Sequence, residues 1–143
     1  MTSITLKDAA EVVDNVLAKG REQEFEPLTA VVLDAGGHVV AAKREDGSGI
    51  IRFELALGKA YGALGFGLGS RDLAGKAKNA PGFMVGASDA SGGRCIPAPG
   101  GVLIKNADGH IIGAVGISGD TGPNDEICAI AAIEKVGFTP DAG

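Results

Sequence analysis

Two histidines and two cysteines are the side chains of this sequence best suited to hold a metal ion. His38 and His110 each follow a glycine in a predicted turn, whereas Cys95 and Cys128 stand alone. None of the four shows the C-x-x-C or H-E-x-x-H spacing of a zinc site, so we predict no structural zinc. Each histidine is either an ordinary exposed turn residue or a ligand to a metal-containing cofactor. Cys128 falls in the apolar pattern of the last predicted helix and is expected in the core.

A pair of basic residues could support a second kind of chemistry. Arg52 and Lys59 are seven residues apart in a predicted helix, so at about 100° per residue they share one face. Together they could hold a carboxylate, and an acid such as Asp46 or Glu54 could move a proton on a bound metabolite. In the alternative interpretation both cations are solvated, and Lys59 only pairs with one of those acids. In either case the removal of Lys59 is expected to leave the melting temperature almost unchanged.

Glycine-rich segments do not match the familiar phosphate-binding motifs. The glycines of residues 62–69 lack the G-x-G-x-x-G spacing and follow a helix, where a dinucleotide site requires a strand. Gly58 and Lys59 lack the other residues of a P-loop, and no local motif assembles a Ser-His-Asp or Cys-His set. The segment 113–119 (GAVGISG) is more unusual, because glycine weakens a strand. It predicts the close approach of either a packing helix or a ligand.

The composition argues against several classes of partner. Thirteen basic and eighteen acidic residues give a net charge of −5 and a pI near 4.9, which disfavours binding to nucleic acid phosphates and anionic membranes. A single tyrosine and no tryptophan argue against a base-stacking surface. The first residues lack a signal-peptide pattern, and no apolar run approaches about 18 residues. We expect a cytoplasmic protein with a small-molecule ligand, no disulfide, and no nucleic acid or membrane partner.

The elements that would position these residues form a single domain over residues 1–143. The predicted order is helix 6–19 after a capping box at 5–8, strands 28–33 and 39–42, helix 50–65 capped by Ser48, a short helix from Ser70, a strand at 94–96, strands 102–105 and 111–118, and helix 123–136. Short turns make neighbouring strands antiparallel. We therefore predict an α+β fold, a five-stranded antiparallel sheet flanked by helices, and not a doubly wound parallel sheet.

The two predicted hairpins resemble each other at an offset of 72 residues. The identical pairs are Ala35 and Ala107, Gly37 and Gly109, His38 and His110, and Ala42 and Ala114. This similarity indicates either an internal repeat or convergence on one turn chemistry.

Six short segments together resemble the GlcG/HbpS family, which is described as haem-binding or haem-degrading and includes the C-terminal domain of PduO-type proteins. They are residues 31–40 (VVLDAGGHVV), 44–47 (REDG), 56–60 (ALGKA), 99–102 (PGGV), 113–119 (GAVGISG) and 125–126 (DE). The resemblance covers nearly the whole chain and implies a profilin-like domain that forms homo-oligomers. The chain departs from the family pattern at Leu103, where members commonly carry proline.

The resemblance implies a haem-binding or haem-handling protein, with the pocket near residues 99–102 and the second helix. In that pocket Arg52, Lys59, Gly100 and Gly101 are the expected ligand-binding residues. His38 is the expected axial ligand on its chemistry alone. One alternative is a cofactor-independent catabolic enzyme for a carboxylated metabolite, and another is a noncatalytic assembly subunit.

Overall fold

The computed structural model describes residues 2–143, which form five helices and five strands. The helices are α1 (Leu6–Glu22), α2 (Arg52–Phe66), α3 (Ser70–Asn79), α4 (Pro81–Ala90) and α5 (Gly122–Val136). The strands are β1 (Thr29–Asp34), β2 (Val39–Arg44), β3 (Gly101–Lys105), β4 (Ile111–Ser118) and β5 (Thr139–Asp141).

All neighbouring strands are antiparallel, and their order across the sheet is β2-β1-β4-β3-β5. This arrangement confirms the predicted α+β fold. Because β1 and β3 run in the same direction, the two hairpin turns lie at one end of the sheet. The end of β4 and the start of β3 lie at the other end.

Helices cover both faces of the sheet. Helices α1 and α5 cover one face, and the core there includes Val12, Val16, Val32, Val115, Ile117 and Ile133. Helix α2 covers the other face, and the core there includes Val31, Leu33, Ala56, Ala60, Leu103 and Ala114. Successive residues of β1 point to opposite faces, which is why its whole run of apolar residues is buried.

Helix α2 lies unusually close to strands β3 and β4 because glycine occupies the contact positions. A side chain at Gly116 would collide with the carbonyl oxygen of Ala56, and one at Gly101 would collide with the carbonyl oxygen of Lys59. Of the two explanations left open for the segment 113–119, the approach of a helix is therefore correct for Gly116. Leu103 is buried in β3 and pairs with both β4 and β5, where proline could not donate an N–H group.

The two hairpins have the same turn. A side-chain oxygen of Asp34 accepts backbone N–H groups from the residues two and four positions later, and a side-chain oxygen of Asn106 does the same. Gly37 and Gly109 have φ values of 84° and 82°, a conformation that favours glycine.

The two hairpins also share a β-bulge. In the first hairpin Val40 is the extra residue of β2, and in the second hairpin Ile112 is the extra residue of β4. Both bulges obey the offset of 72 residues seen in the sequence. The similarity of the two segments therefore extends from the turn residues to the pairing of the strands.

The fifth strand is not where the sequence pattern placed it. Residues 94–96 do not form a strand; the N–H of Ile96 donates to the carbonyl of Gly58 on α2, and Cys95 is buried beside that helix. The fifth strand is β5, which follows α5 and pairs with β3. It contains Pro140, which an edge strand tolerates.

Helix α4 replaces part of the irregular stretch predicted after α3. Pro81 stands at its first position, where proline is favoured, and Met84 packs against Leu73 and Cys95. Ser48 does not cap α2: its hydroxyl bonds to that of Thr29, and the helix has no side-chain cap.

Both cysteines are buried free thiols. Cys128 lies in the core between the sheet and α1, as predicted, and burial raises its pKa to about 11.

Within residues 2–143, no helix combines the length and apolar character needed to cross a membrane.

The contact between α2 and β4 generates a stability prediction. Gly116→Ala should reduce the free energy of unfolding by about 1–3 kcal/mol, because the helix must move away from the sheet to admit a methyl group. Gly75→Ala in α3 is the matched control, since a methyl group there meets no atom within 4 Å and should be neutral or stabilising. Denaturant titration measures both variants, and equal stabilities would contradict the proposed contact.

Candidate functional site

His38 stands at the turn end of the sheet with its imidazole held by a carboxylate. Its side chain is 80% exposed, and Nδ1 lies 3.2 Å from Oδ1 of Asp34. Hydrogen bonds, of which that from the backbone N–H of His38 is the largest cause, lower the pKa of Asp34. With Nδ1 directed at the carboxylate, Nε2 is the ring nitrogen available to a metal. A carboxylate behind an imidazole fixes its tautomer and strengthens it as a ligand.

His110 occupies the equivalent position of the second hairpin but has a different neighbour. Its backbone N–H donates to Oδ1 of Asn106, a neutral amide, over 3.0 Å. The two turns therefore have the same backbone hydrogen bonds. They differ in the residue that accepts them, which is a carboxylate in the first turn and a neutral amide in the second.

A groove lies between α2 and α4. Its volume is about 360 Å³, within the range of small-molecule sites. Its lining consists of Tyr61, Gly62, Gly65, Phe66, Ala87, Ala90, Ser91, Arg94 and Cys95. Most of these residues are small or apolar, and Arg94 supplies the positive charge.

A smaller cavity connects this groove to the hairpin of His38. It measures about 150 Å³ and shares Tyr61 and Gly65 with the groove. Gly36 and Gly37 of the hairpin line its other side. A Cβ atom at Gly36 would lie 3.0 Å from the ring of His38, and one at Gly37 would lie 3.0 Å from the ring of Tyr61. The turn that carries His38 therefore borders a cavity that adjoins the groove.

Lys59 is buried and belongs to a different part of the molecule. Its ammonium donates to the carbonyl of Ile117 over 2.8 Å and to Oδ2 of Asp125 over 3.1 Å. Burial lowers the pKa of Lys59 and raises the pKa of Asp125, while their mutual attraction opposes both shifts. The expectation that Lys59 is solvated, or pairs with Asp46 or Glu54, is wrong.

The other predicted ligand-binding residues gather around Lys59. Arg52 donates to the hydroxyl of Ser118 over 3.1 Å, and its charge contributes to the lowered pKa of Lys59. Gly100 and Gly101 are buried directly against Lys59. These four residues are therefore close together, but Lys59 and the two glycines are packed in the interior. His38 lies at the opposite end of the strands.

The two proposed proton-transfer acids are exposed. Asp46 lines a polar cleft of about 440 Å³ together with Arg21, Pro27, Arg44 and Glu45. Glu54 stands in the first turn of α2. Neither acid is the partner of Lys59, because Asp125 holds that position.

Sequence reasoning missed Tyr61 and Arg94 as site residues. The guanidinium carbon of Arg94 lies 4.3 Å from the centroid of the Tyr61 ring. Two signals were present in the sequence: Tyr61 is its only tyrosine, and two glycines immediately precede Arg94.

The buried ion pair generates the second prediction. It replaces the expectation that removal of Lys59 leaves the melting temperature almost unchanged. Lys59→Met leaves the carboxylate of Asp125 buried without its cation and should cost about 3–5 kcal/mol. The loss should be smaller at about pH 4 than at about pH 7, because the raised pKa lets the folded variant protonate Asp125, and stability is lost as the pH rises through that pKa.

Lys43→Met is the matched control for that experiment. Lys43 also contacts an acid, Asp14, but both side chains are more than half exposed, so the loss should be about 0–1 kcal/mol. Denaturant unfolding at the two pH values measures both variants. Equal losses for Lys43→Met and Lys59→Met would show that the buried pair has no special role.

Three relatives share the fold or the sequence. An uncharacterized 15.0 kDa protein from the dhaT-dhaS intergenic region of Citrobacter freundii is 29% identical over 134 residues, which cover 94% of this chain and 92% of the relative. The crystal structure of a PduOC:heme complex has a TM-score of 0.84 at 23% identity, with 95% and 96% of the two chains covered. Protein ORFY of Klebsiella pneumoniae has a TM-score of 0.84 at 26% identity, with 95% and 92% covered.

The family itself is identified by a sequence model that spans most of the chain. The model describes haem degrading, HbpS-like proteins and matches residues 4–134, from just before α1 to near the end of α5. The match confirms the resemblance found in the short motifs, and this chain belongs to the HbpS-like family.

Proposed function

We propose that this protein binds and handles haem in the groove beside α2, with His38 as the axial ligand. The observation that carries the proposal is the imidazole of His38, held through Nδ1 by Asp34 on a hairpin whose glycines line a cavity next to a groove of about 360 Å³. Membership of a family described as haem degrading supports it, as does a shared fold with a protein crystallised in complex with heme.

The residues present fit the chemistry of haem. Within residues 2–143, no group of three or more His, Cys, Asp and Glu side chains could hold a bare metal ion. A metal that brings its own porphyrin needs only one or two protein ligands, and a neutral imidazole is a common one. The groove offers a largely apolar surface to the flat macrocycle, and Arg94 offers a cation to its carboxylates.

The site would leave the bound iron accessible to solvent. Haem supplies redox and oxygen chemistry through its iron, whereas the protein supplies the ligand, the charge and the enclosure. His38 would donate Nε2, Asp34 would hold the ring in one tautomer, and the small residues of α2 would admit the macrocycle. Because the side chain of His38 is 80% exposed, water and partner molecules could reach the iron. We therefore favour a handling or transfer role, in the cytoplasm, where free thiols are expected.

The alternative of a cofactor-independent catabolic enzyme has weaker support. It places the carboxylate of a metabolite on Arg52 or Lys59. The ammonium of Lys59 already donates to Ile117 and Asp125 in the interior, and Arg52 donates to the hydroxyl of Ser118. Asp46 lines a polar cleft that contains Arg21 and Arg44. That cleft would be the place to look for such an activity if haem does not bind.

Haem titration tests the proposed function. The protein should give a Soret band on addition of haem, and His38→Ala should shift that band and weaken binding. Asp34→Asn gives the first hairpin the neutral amide of the second, and the loss of the supporting carboxylate should weaken binding by about 10–100-fold.

The second hairpin provides the control for this titration. His110→Ala removes an imidazole from an almost identical turn and should leave the Soret band and the affinity unchanged. If the band and the affinity are unaltered in both histidine variants, neither histidine is the axial ligand.

We also propose that the protein is a homo-oligomer. Helix α4 exposes Phe83 and Val85 to 63% and 71%, and Phe83 contacts Phe66, which is itself partly exposed. Soluble monomers rarely leave large apolar patches uncovered. Sedimentation equilibrium should show an assembly larger than the 14.2 kDa chain, and Val85→Lys should weaken it. A stable monomer at micromolar concentration would contradict the proposal.

A further inference from the structure

The guanidinium of Arg94 lies over the ring of Tyr61 at the rim of the groove between α2 and α4. We infer that these two residues recognise a carboxylate attached to a planar aromatic ligand, so that the groove selects its ligand by the acid as well as by the ring. This inference rests on the proposed function and deepens it. It identifies the carboxylate as a feature of the ligand that the protein recognises independently of the iron.

Among the residues that the structure describes, no carboxylate neutralises the charge of Arg94. Within residues 2–143, no carboxylate lies at ion-pair distance from its guanidinium, whereas Arg21 pairs with Glu45 and Arg71 pairs with Glu126. Nε of Arg94 donates to the carbonyl of Ser91 over 2.7 Å. A guanidinium held through Nε still has its Nη atoms available for a carboxylate.

The cation–π contact with Tyr61 orients the guanidinium without consuming its hydrogen bonds. The guanidinium carbon lies 4.3 Å from the ring centroid, which is the geometry of a cation–π contact. A planar guanidinium stacked on an aromatic face keeps its N–H groups free at its edge. Tyr61 therefore restricts the directions in which Arg94 can bind an anion.

The backbone on both sides of Arg94 is fixed. Gly92 and Gly93 have φ values of 68° and 84°, and the N–H of Gly93 donates to Ser88 at the end of α4. On the other side Cys95 is buried. An arginine held between two fixed points loses less conformational entropy on binding than one in a mobile loop.

The floor beside this pair is open to a flat ring. Gly65 lines both the groove and the adjoining cavity, and a Cβ atom at this position would meet no atom within 4 Å. A larger side chain could therefore fill the floor without disturbing the fold. This gives a variant that blocks the ring and leaves the charge of Arg94 in place.

The experiment compares porphyrins that differ only in their acids or in their metal. The probes are haem, metal-free protoporphyrin, and the dimethyl ester of that protoporphyrin. Tyr61 is the only tyrosine and the chain has no tryptophan, so quenching of tyrosine emission reports binding beside this residue. The metal-free probes remove any contribution of His38.

The wild-type protein should bind the free acid more tightly than the ester. Arg94→Met should weaken binding of the free acid by about tenfold or more and abolish the preference for it, and Arg94→Lys should restore part of it. Gly65→Leu should weaken acid and ester equally. Lys43→Met is the matched control, because Lys43 contacts Asp14 of α1 on the opposite face of the sheet and should not affect either probe.

Three results would overturn the inference, and each is distinct. If Arg94→Met retains the preference for the acid, another residue binds the carboxylate, and the proposal that the protein binds haem is not contradicted. If haem binds but metal-free protoporphyrin does not, the iron and not the acid dominates recognition. If the wild-type protein binds none of the three probes, the proposed function fails as well.

Discussion

The close approach of α2 to the sheet is the constraint on which the rest of the structure depends. Gly116 and Gly101 let the helix backbone touch β4 and β3, and this contact carries Lys59 into the interior. A buried ammonium is costly unless it is paired, so Asp125 at the start of α5 must accompany it. The carbonyl of Ile117 takes a second hydrogen bond from the same ammonium. One packing distance therefore couples α2, the end of β4 and α5.

The same constraint shapes the groove on the outer side of α2. With its inner face on the sheet, the helix presents Tyr61 and Gly65 outward, where the first hairpin and α4 form the walls. Cys95 packs against Gly62, so the segment that carries Arg94 is held close to the helix. The rigid interior end of α2 and its open outer face are consequences of one set of small residues. This division separates the residues that stabilise the fold from those proposed to bind a ligand.

The two hairpins show how a repeated geometry can carry different chemistry. Their turns and bulges match at an offset of 72 residues, yet Asp34 stands behind one histidine and Asn106 holds the equivalent turn. The first hairpin lies beside Tyr61, since a Cβ atom at Gly37 would lie 3.0 Å from the tyrosine ring. A charged neighbour and an adjacent cavity distinguish His38 as the proposed ligand, although the two imidazoles look alike in the sequence.

The sequence by itself determined the elements that depend on local chemistry. The capping residue Thr5 begins α1, the turn glycines form both hairpins, and Gly137 ends α5, because each acts on atoms a few residues away. The family motifs likewise indicated the fold. Only the tertiary structure decided that Lys59 is buried, that β5 is the fifth strand, and that Arg94 meets Tyr61 beside the hairpin of His38. These outcomes depend on which distant segments pack together: Asp125 is 66 residues from Lys59 in the chain, and no local pattern encodes such a partner.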